Sequence, residues 1–192
     1  MSFDIRRSIL LGKYIDQWGL PLKRTISTKE GNFQGVEVYE FPPKNDGVYR
    51  FVTIGLSCQT LDSGVVANWE FLFCLPDSLG SANSSLVVNY LLDIMGYSLR
   101  AEVDMKVGVL IPVSSLAPDC WSTKAILVDE ARGEAKEMSS HCIGNQNIEL
   151  LWLIPITSSE YELIKNKGIE EFDQLEAKCG VSLLDVNRDG IV

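Results

Sequence analysis

Apolar residues recur at roughly helical spacing in "FDIRRSILLGKYIDQWG", at Ile5, Ile9, Leu10, Ile15 and Trp18, and predict an N-terminal helix. Gly19, Leu20 and Pro21 supply its stop. The period then shortens to two. In "GVEVYEF", Val36, Val38 and Glu40 share one side, and Glu37, Tyr39 and Phe41 the other. "PPKNDG" is dense in turn residues. "VYRFVTIGLS" and "NWEFLFCLP" follow as strands rich in aromatic and β-branched residues. "SLGSANSS" ends in N-cap candidates and opens a helix over "LVVNYLLDIMGYSL", apolar enough all round to lie against a sheet. Next come "VGVLIPV", "KAILVDE", an "ARGE" turn, "AKEMSSH" and "NIELLWLIPI". "ELLWLIP" has almost no polar relief, the pattern of a central strand covered on both faces.

The C-terminal segment is the most legible. Thr157 and Glu160 form a capping box, in which hydroxyl and carboxylate each satisfy an orphan backbone N–H. Ile156 and Tyr161 suit the accompanying hydrophobic staple. Gly168 can take the left-handed conformation that ends this helix, and Gly180 can end the next in the same way. Between them Ile169, Phe172, Leu175, Glu176 and Cys179 fall near one face. Helix, strands, helix, strands, helix is not a regular β-α-β alternation. It predicts an α+β fold, a mixed, mostly antiparallel sheet with helices packed on it. No linker, repeat or low-complexity segment divides residues 1–192, so a single domain is expected.

Composition adds constraints. The chain has 192 residues, 46% hydrophobic and 22% charged, as in ordinary globular proteins. No apolar run reaches the ~18 residues of a membrane helix. "SILLGKYI" is short, lies among Arg6, Arg7 and Lys13, and lacks a signal-peptide cleavage pattern, so a cytoplasmic protein is expected. Cys58, Cys74, Cys120, Cys142 and Cys179 are odd in number and never paired as C-x-x-C. They read as reduced, buried small hydrophobes rather than a disulfide framework or a zinc site. The net charge of −9 disfavours nucleic acid and favours a cationic protein partner. Residues 1–24 are locally basic, with Arg6, Arg7, Lys13, Lys23 and Arg24 against Asp4 and Asp16, so the acidity lies in the remainder.

Candidate chemistry is sparse. His141 is the only histidine, so a histidine-rich metal site or an H-E-x-x-H motif cannot form within one chain. Any Ser-His or Cys-His arrangement must run through it, with Ser57 or Cys58 arriving by folding. Cys142, adjacent on a strand, points to the opposite face. A loop or satisfied surface position is expected for His141. No phosphate loop is present, and "GNFQG" (31–35) reads as a turn. Glu70, Asp93, Glu102, Asp104, Asp129, Glu130 and Glu149 could include an acid–base pair, but spacing selects none. Glu70 and Glu149 sit in apolar strands. Exposure near the strand start is the expectation, with Arg50 or Arg100 as partners if either is buried. At the C-terminus, Asp185, Asn187, Asp189 and Gly190 spell the first half of a calcium loop. The chain ends before the closing bidentate carboxylate, so the expected structure is a tight Asp-Gly turn leading into a short terminal strand. Arg188 could then pair with a carboxylate of the domain and Val192 could dock on the sheet.

The same C-terminal segment resembles the closing portion of the suppressor of fused family, at Trp152, Pro155, Thr157, Glu160, Gly168, Phe172, Leu175, Arg188 and Val192. Upstream, Thr53, Gly55 and Ser57 resemble the family's Thr-x-Gly-x-Ser strand, and Trp69, Glu70 and Pro76 its Trp-Glu strand. The resemblance spans roughly residues 30–192 and leaves the N-terminal helix and lead-in, 1–29, unmatched. It implies a single suppressor of fused-like domain that binds a protein. Compact bacterial members are regarded as including immunity proteins, which neutralise toxins by direct binding. No catalytic, cofactor, metal or partner-binding residue is assigned. The competing readings are a regulatory protein-interaction module and a hydrolase with an unrecognised carboxylate or cysteine site. A pocket joining Cys58, Cys142 and His141 would favour the hydrolase. A calcium-dependent module is a further, weaker reading.

Overall fold

The structure is a computed structural model and describes residues 3–27, 35–61, 64–100, 104–114 and 117–192, the Arg100 side chain excepted. The "GNFQG" turn (all but Gly35), Glu102 and any Arg100 pairing lie outside the described residues.

Helix α1 is Phe3–Trp18, followed by β1 (Lys23–Ile26), β2 (Glu37–Phe41), β3 (Val48–Ile54) and β4 (Trp69–Pro76). Helix α2 (Asp77–Arg100) leads to β5 (Leu110–Ile111), β6 (Ala125–Glu130), β7 (Ser140–Ile143) and β8 (Gln146–Ile156). Helices α3 (Ser158–Lys167) and α4 (Ile169–Cys179) complete the described elements. The strands form one mixed sheet in the order β1-β2-β3-β4-β8-β6-β5, with β7 also on β8. Among the described residues β4–β8 is the parallel pairing, with Leu72 opposite Trp152, and the other pairings are antiparallel. The expected α+β class is therefore observed.

Strand β8 is the axis. One edge takes β4, while the other takes β7 along its first half and β6 along its second. Both faces of its C-terminal half are covered, which is why "ELLWLIP" needs no polar residue. Phe51, Phe71, Phe73, Leu151 and Leu153 pack with Val87, Tyr90, Leu91 and Met95 of α2. Their neighbours along the strands, Val52, Leu72, Trp152 and Ile154, pack with Leu10 and Tyr14 of α1, Ile164 of α3 and Phe172 of α4. The alternation read in residues 36–41 holds, with Val36 and Val38 on the α2 side and Tyr39 and Phe41 on the α1 side.

Several expectations are corrected. Strand β1 was not foreseen. Helix α2 begins at Asp77, so "SLGSANSS" is helix and not its cap. Those small residues permit close packing. A Cβ on Gly80 would lie 2.3 Å from Tyr49 Cγ, and Ser84 Oγ donates to Glu40 at 2.7 Å. In "VGVLIPV" only Leu110–Ile111 form a strand. The buried line of α1 is Arg6, Leu10, Tyr14 and Trp18, while Ile5 and Ile9 are exposed. Spacing by four explains this line, and a buried arginine within it disguised the face. Of the cysteines, Cys74 is buried, Cys58 half-buried, and Cys120, Cys142 and Cys179 exposed, all as free thiols.

Candidate interaction groove

The residues considered for catalysis are kept apart. His141 on β7 is 1% exposed, not a surface residue, and its ring meets that of Tyr14 edge-on at 5.7 Å. Its Nδ1 lies 3.3 Å from Lys13 Nζ. An ammonium can only donate, so Nδ1 accepts and the proton resides on Nε2, which has no partner among the described residues. Burial, and then the Lys13 charge, depress His141 to about 4, so it is neutral at pH 7. Cys142 points the other way and is exposed, as strand geometry requires. Burial pushes the Cys58 thiol up despite nearby Arg6, the opposite of nucleophile activation. No hydrogen bond among the described residues joins His141 to Ser57, Cys58 or Cys142.

Glu70 corrects a second expectation. It is fully buried, and Arg50 is not among its partners in the described residues. It accepts from the Thr53 hydroxyl (2.7 Å), the Ser57 hydroxyl (2.7 Å) and the backbone N–H groups of Gly55 (2.9 Å), Leu56 (3.2 Å) and Ser57 (3.0 Å). Gly55, at φ 109°, turns the chain so that these amides converge. Burial still raises the Glu70 pKa, with the Ser57 and Thr53 bonds opposing. Arg6 donates to the Ser57 carbonyl and to Gln146, tying α1 to the same turn. The cluster is a structural fastening. Glu149, by contrast, is exposed as expected.

The remaining carboxylates do not assemble. Asp129 is buried against Arg132 at 2.5 Å, while Asp104, Glu130 and Glu149 are exposed. No group of three metal-ligating side chains occurs among the described residues. In the C-terminal segment, Asp185 Oδ1 accepts from Asn187 N–H at 2.9 Å. Arg188 donates to Glu160 (2.8 Å) and to the Pro155 carbonyl (2.9 Å). The capping box is formed, with Thr157 N–H donating to Glu160 at 2.7 Å and Glu160 N–H to the Thr157 hydroxyl at 3.3 Å. Ile191 N–H donates to the same carboxylate at 3.2 Å. The expected terminal strand is absent among the described residues, and Val192 is 54% exposed; Ile191 is the residue that docks. Gly190 fits because a Cβ there would stand 3.1 Å from the Thr157 and Ser159 hydroxyls.

On the α1/α3/α4 side of the sheet a groove of about 400 Å³ opens. Arg50 of β3, Cys74 of β4 and Trp152 of β8 contribute from the sheet, and residues 132–134 and 181–184 line it from the loops. Arg50 donates to Glu134 (2.6 Å), Asp46 (2.7 Å) and the Val48 carbonyl (3.0 Å), and lies over the Trp18 ring at 5.6 Å. Trp18 Nε1 donates to the other Glu134 oxygen at 2.7 Å. Burial opposes the Arg50 charge, but Asp46 and Glu134 outweigh it and hold its pKa above the ordinary value. Arg132 bridges Asp129 and Asp173, the latter at 2.7 Å. Glu176 also lines the groove, and Trp152 Nε1 has no hydrogen-bond partner among the described residues. A second groove, about 700 Å³, is lined by Phe3, Arg6, Cys58, Ile143 and Gln146, among others, but not by His141 or Cys142. Periodicity could not foresee either groove, because each joins segments distant in sequence.

Comparison with protein families finds a match to the Suppressor of fused protein (SUFU) model over residues 33–189. Comparison with curated protein sequences finds no match. Among solved structures, a putative SUFU homologue from Neisseria gonorrhoeae superposes with a TM-score of 0.78 at 17% identity, covering 100% of this chain and 98% of that one. The protein in the Sufu–Fu complex gives 0.71 at 14% identity, covering 97% and 91%. Drosophila Suppressor of Fused gives 0.71 at 14% identity, and the 97% of this chain that aligns spans 50% of that longer protein.

Proposed function

The chain belongs to the suppressor of fused family, and on that premise we propose that it is a non-enzymatic, single-domain protein-binding module. The observation that carries this reading is the family match over residues 33–189, extended by the shared fold with a relative whose structure is a complex with Fu. Buried, neutral His141 and the separated cysteines give the hydrolase reading no support.

The finer proposal is an immunity protein, acting in the cytoplasm, that occludes a toxin by direct binding. It rests on the compact, bacterial-type resemblance and on the net charge of −9, which would speed association with a basic toxin and make it salt-dependent. No helix among the described residues is long and apolar enough to cross a membrane. Co-expression with the product of the adjacent gene tests the proposal. A stable co-eluting complex and loss of toxicity are expected. A neighbour that neither binds nor is neutralised would overturn the immunity reading.

A further inference from the structure

We infer that the 400 Å³ groove beside Arg50 and Trp152 seats an extended, lysine- or arginine-bearing segment of the protein partner. The inference rests on the protein-binding reading and locates its contact surface. Three features carry it.

The first is charge. The groove holds two guanidinium groups, and both are already engaged, Arg50 by Asp46 and Glu134, Arg132 by Asp129 and Asp173. Glu176 adds a further carboxylate to the lining, so the site favours a cation. The second is an aromatic wall. Trp152 is 6% exposed and lines the groove beside Cys74, giving the stem of a long side chain an apolar surface to lie on. The third is shape and apolarity. Val181, Leu183 and Leu184 line the loop side, where the methylene stem of a long basic side chain can lie while its head reaches a carboxylate.

A ¹⁵N-resolved NMR titration of the whole chain tests this, with acetyl-Lys-Arg-Gly-Lys-Arg-amide as the probe and acetyl-Glu-Asp-Gly-Glu-Asp-amide as the control. The Trp152→Phe variant identifies the Trp152 indole cross-peak. That peak is expected to shift saturably with the basic peptide and not with the acidic one. Glu176→Lys is expected to weaken the effect about tenfold, and salt at about 1 M, where the Debye length is ~3 Å, to abolish it. An unmoved Trp152 peak, equal response to both peptides, or shifts scattered over the whole surface would overturn the inference. So would a peak that moves with protein concentration alone, which would make a second copy the occupant. If a partner protein binds wild type and Glu176→Lys equally well, the groove assignment falls while the protein-binding reading stands. If the peptide occupies the groove but no protein partner binds, the protein-binding reading falls.

Discussion

Two arginine-centred clusters lie on the same side of the sheet and serve different ends. Arg188 meets Glu160, the Pro155 carbonyl and the Asp185 carbonyl, with side-chain exposures of 3% and 0% for the ion pair. The capping box and the terminal Ile191 close over the same carboxylate. Arg50 meets Asp46, Glu134 and the Val48 carbonyl and stacks on Trp18, but Asp46 is 44% exposed and the cluster borders a groove. The first cluster is sealed, so its charges can only hold the chain together. The second keeps one side toward solvent, where Asp46 and Glu176 line the groove, so part of its charge is left for another molecule. Identical residue types therefore divide by what closes over them.

The sharpest way to break this contrast is Arg188→Met, which leaves Glu160 buried and unpaired. A loss of about 4 kcal/mol in urea unfolding is expected. Adding Glu160→Gln to it should return much of that loss, because no charge then remains buried while the amide oxygen still accepts from the Thr157 N–H. A result near zero for the single variant would mean the C-terminal cluster is not sealed.

Titration gives the next largest effect and extends the contrast to α1. His141 is depressed to about 4 by burial and then by Lys13, against an ordinary 6.5. The unfolded chain therefore takes up this proton first. Stability from His141 is full above pH 6.5 and is lost as pH falls toward 4, roughly 3 kcal/mol in all. Comparing wild type with His141→Gln by thermal unfolding across that interval isolates the effect, and parallel profiles would contradict it.

At the open cluster the expected losses are smaller. Glu134→Ala deprives both Arg50 and Trp18 of an acceptor and should cost about 2 kcal/mol. Asp46→Asn removes a half-exposed partner and should cost less than about 0.5 kcal/mol. If Asp46→Asn proved as damaging as Arg188→Met, the distinction between sealed and open clusters would fail.

The two clusters also differed in how far sequence reached them. Thr157, Glu160 and Gly180 act through local rules of capping: the box at Thr157 forms as read and Gly180 is left-handed. Gly168 instead ends α3 with φ 91° and ψ 168°, an extended, positive-φ conformation rather than the left-handed helical one expected. Arg188 was singled out by resemblance, and a partner carboxylate was expected without being named. The groove obeys no local rule. Arg50, Glu134, Trp152 and Glu176 come from four separate segments, and sequence spacing carries no trace of their meeting. Fold class was legible because strand alternation and the unbroken apolar run of β8 report burial directly. Individual polar burials were not, since Arg6, Glu70 and His141 each lie inside on the strength of partners that only tertiary structure supplies. The residues 78–85 misled for a related reason, because small polar residues that suggest a cap also suit close packing against Tyr49.

The most direct test of the central claim is isothermal titration of the whole chain, wild type and Glu176→Lys, against the protein encoded by the adjacent gene. Saturable one-to-one binding is predicted, weakening with salt and about tenfold weaker in the variant. No binding by the wild-type chain would contradict the immunity reading. Equal, salt-insensitive binding by both forms would contradict the groove.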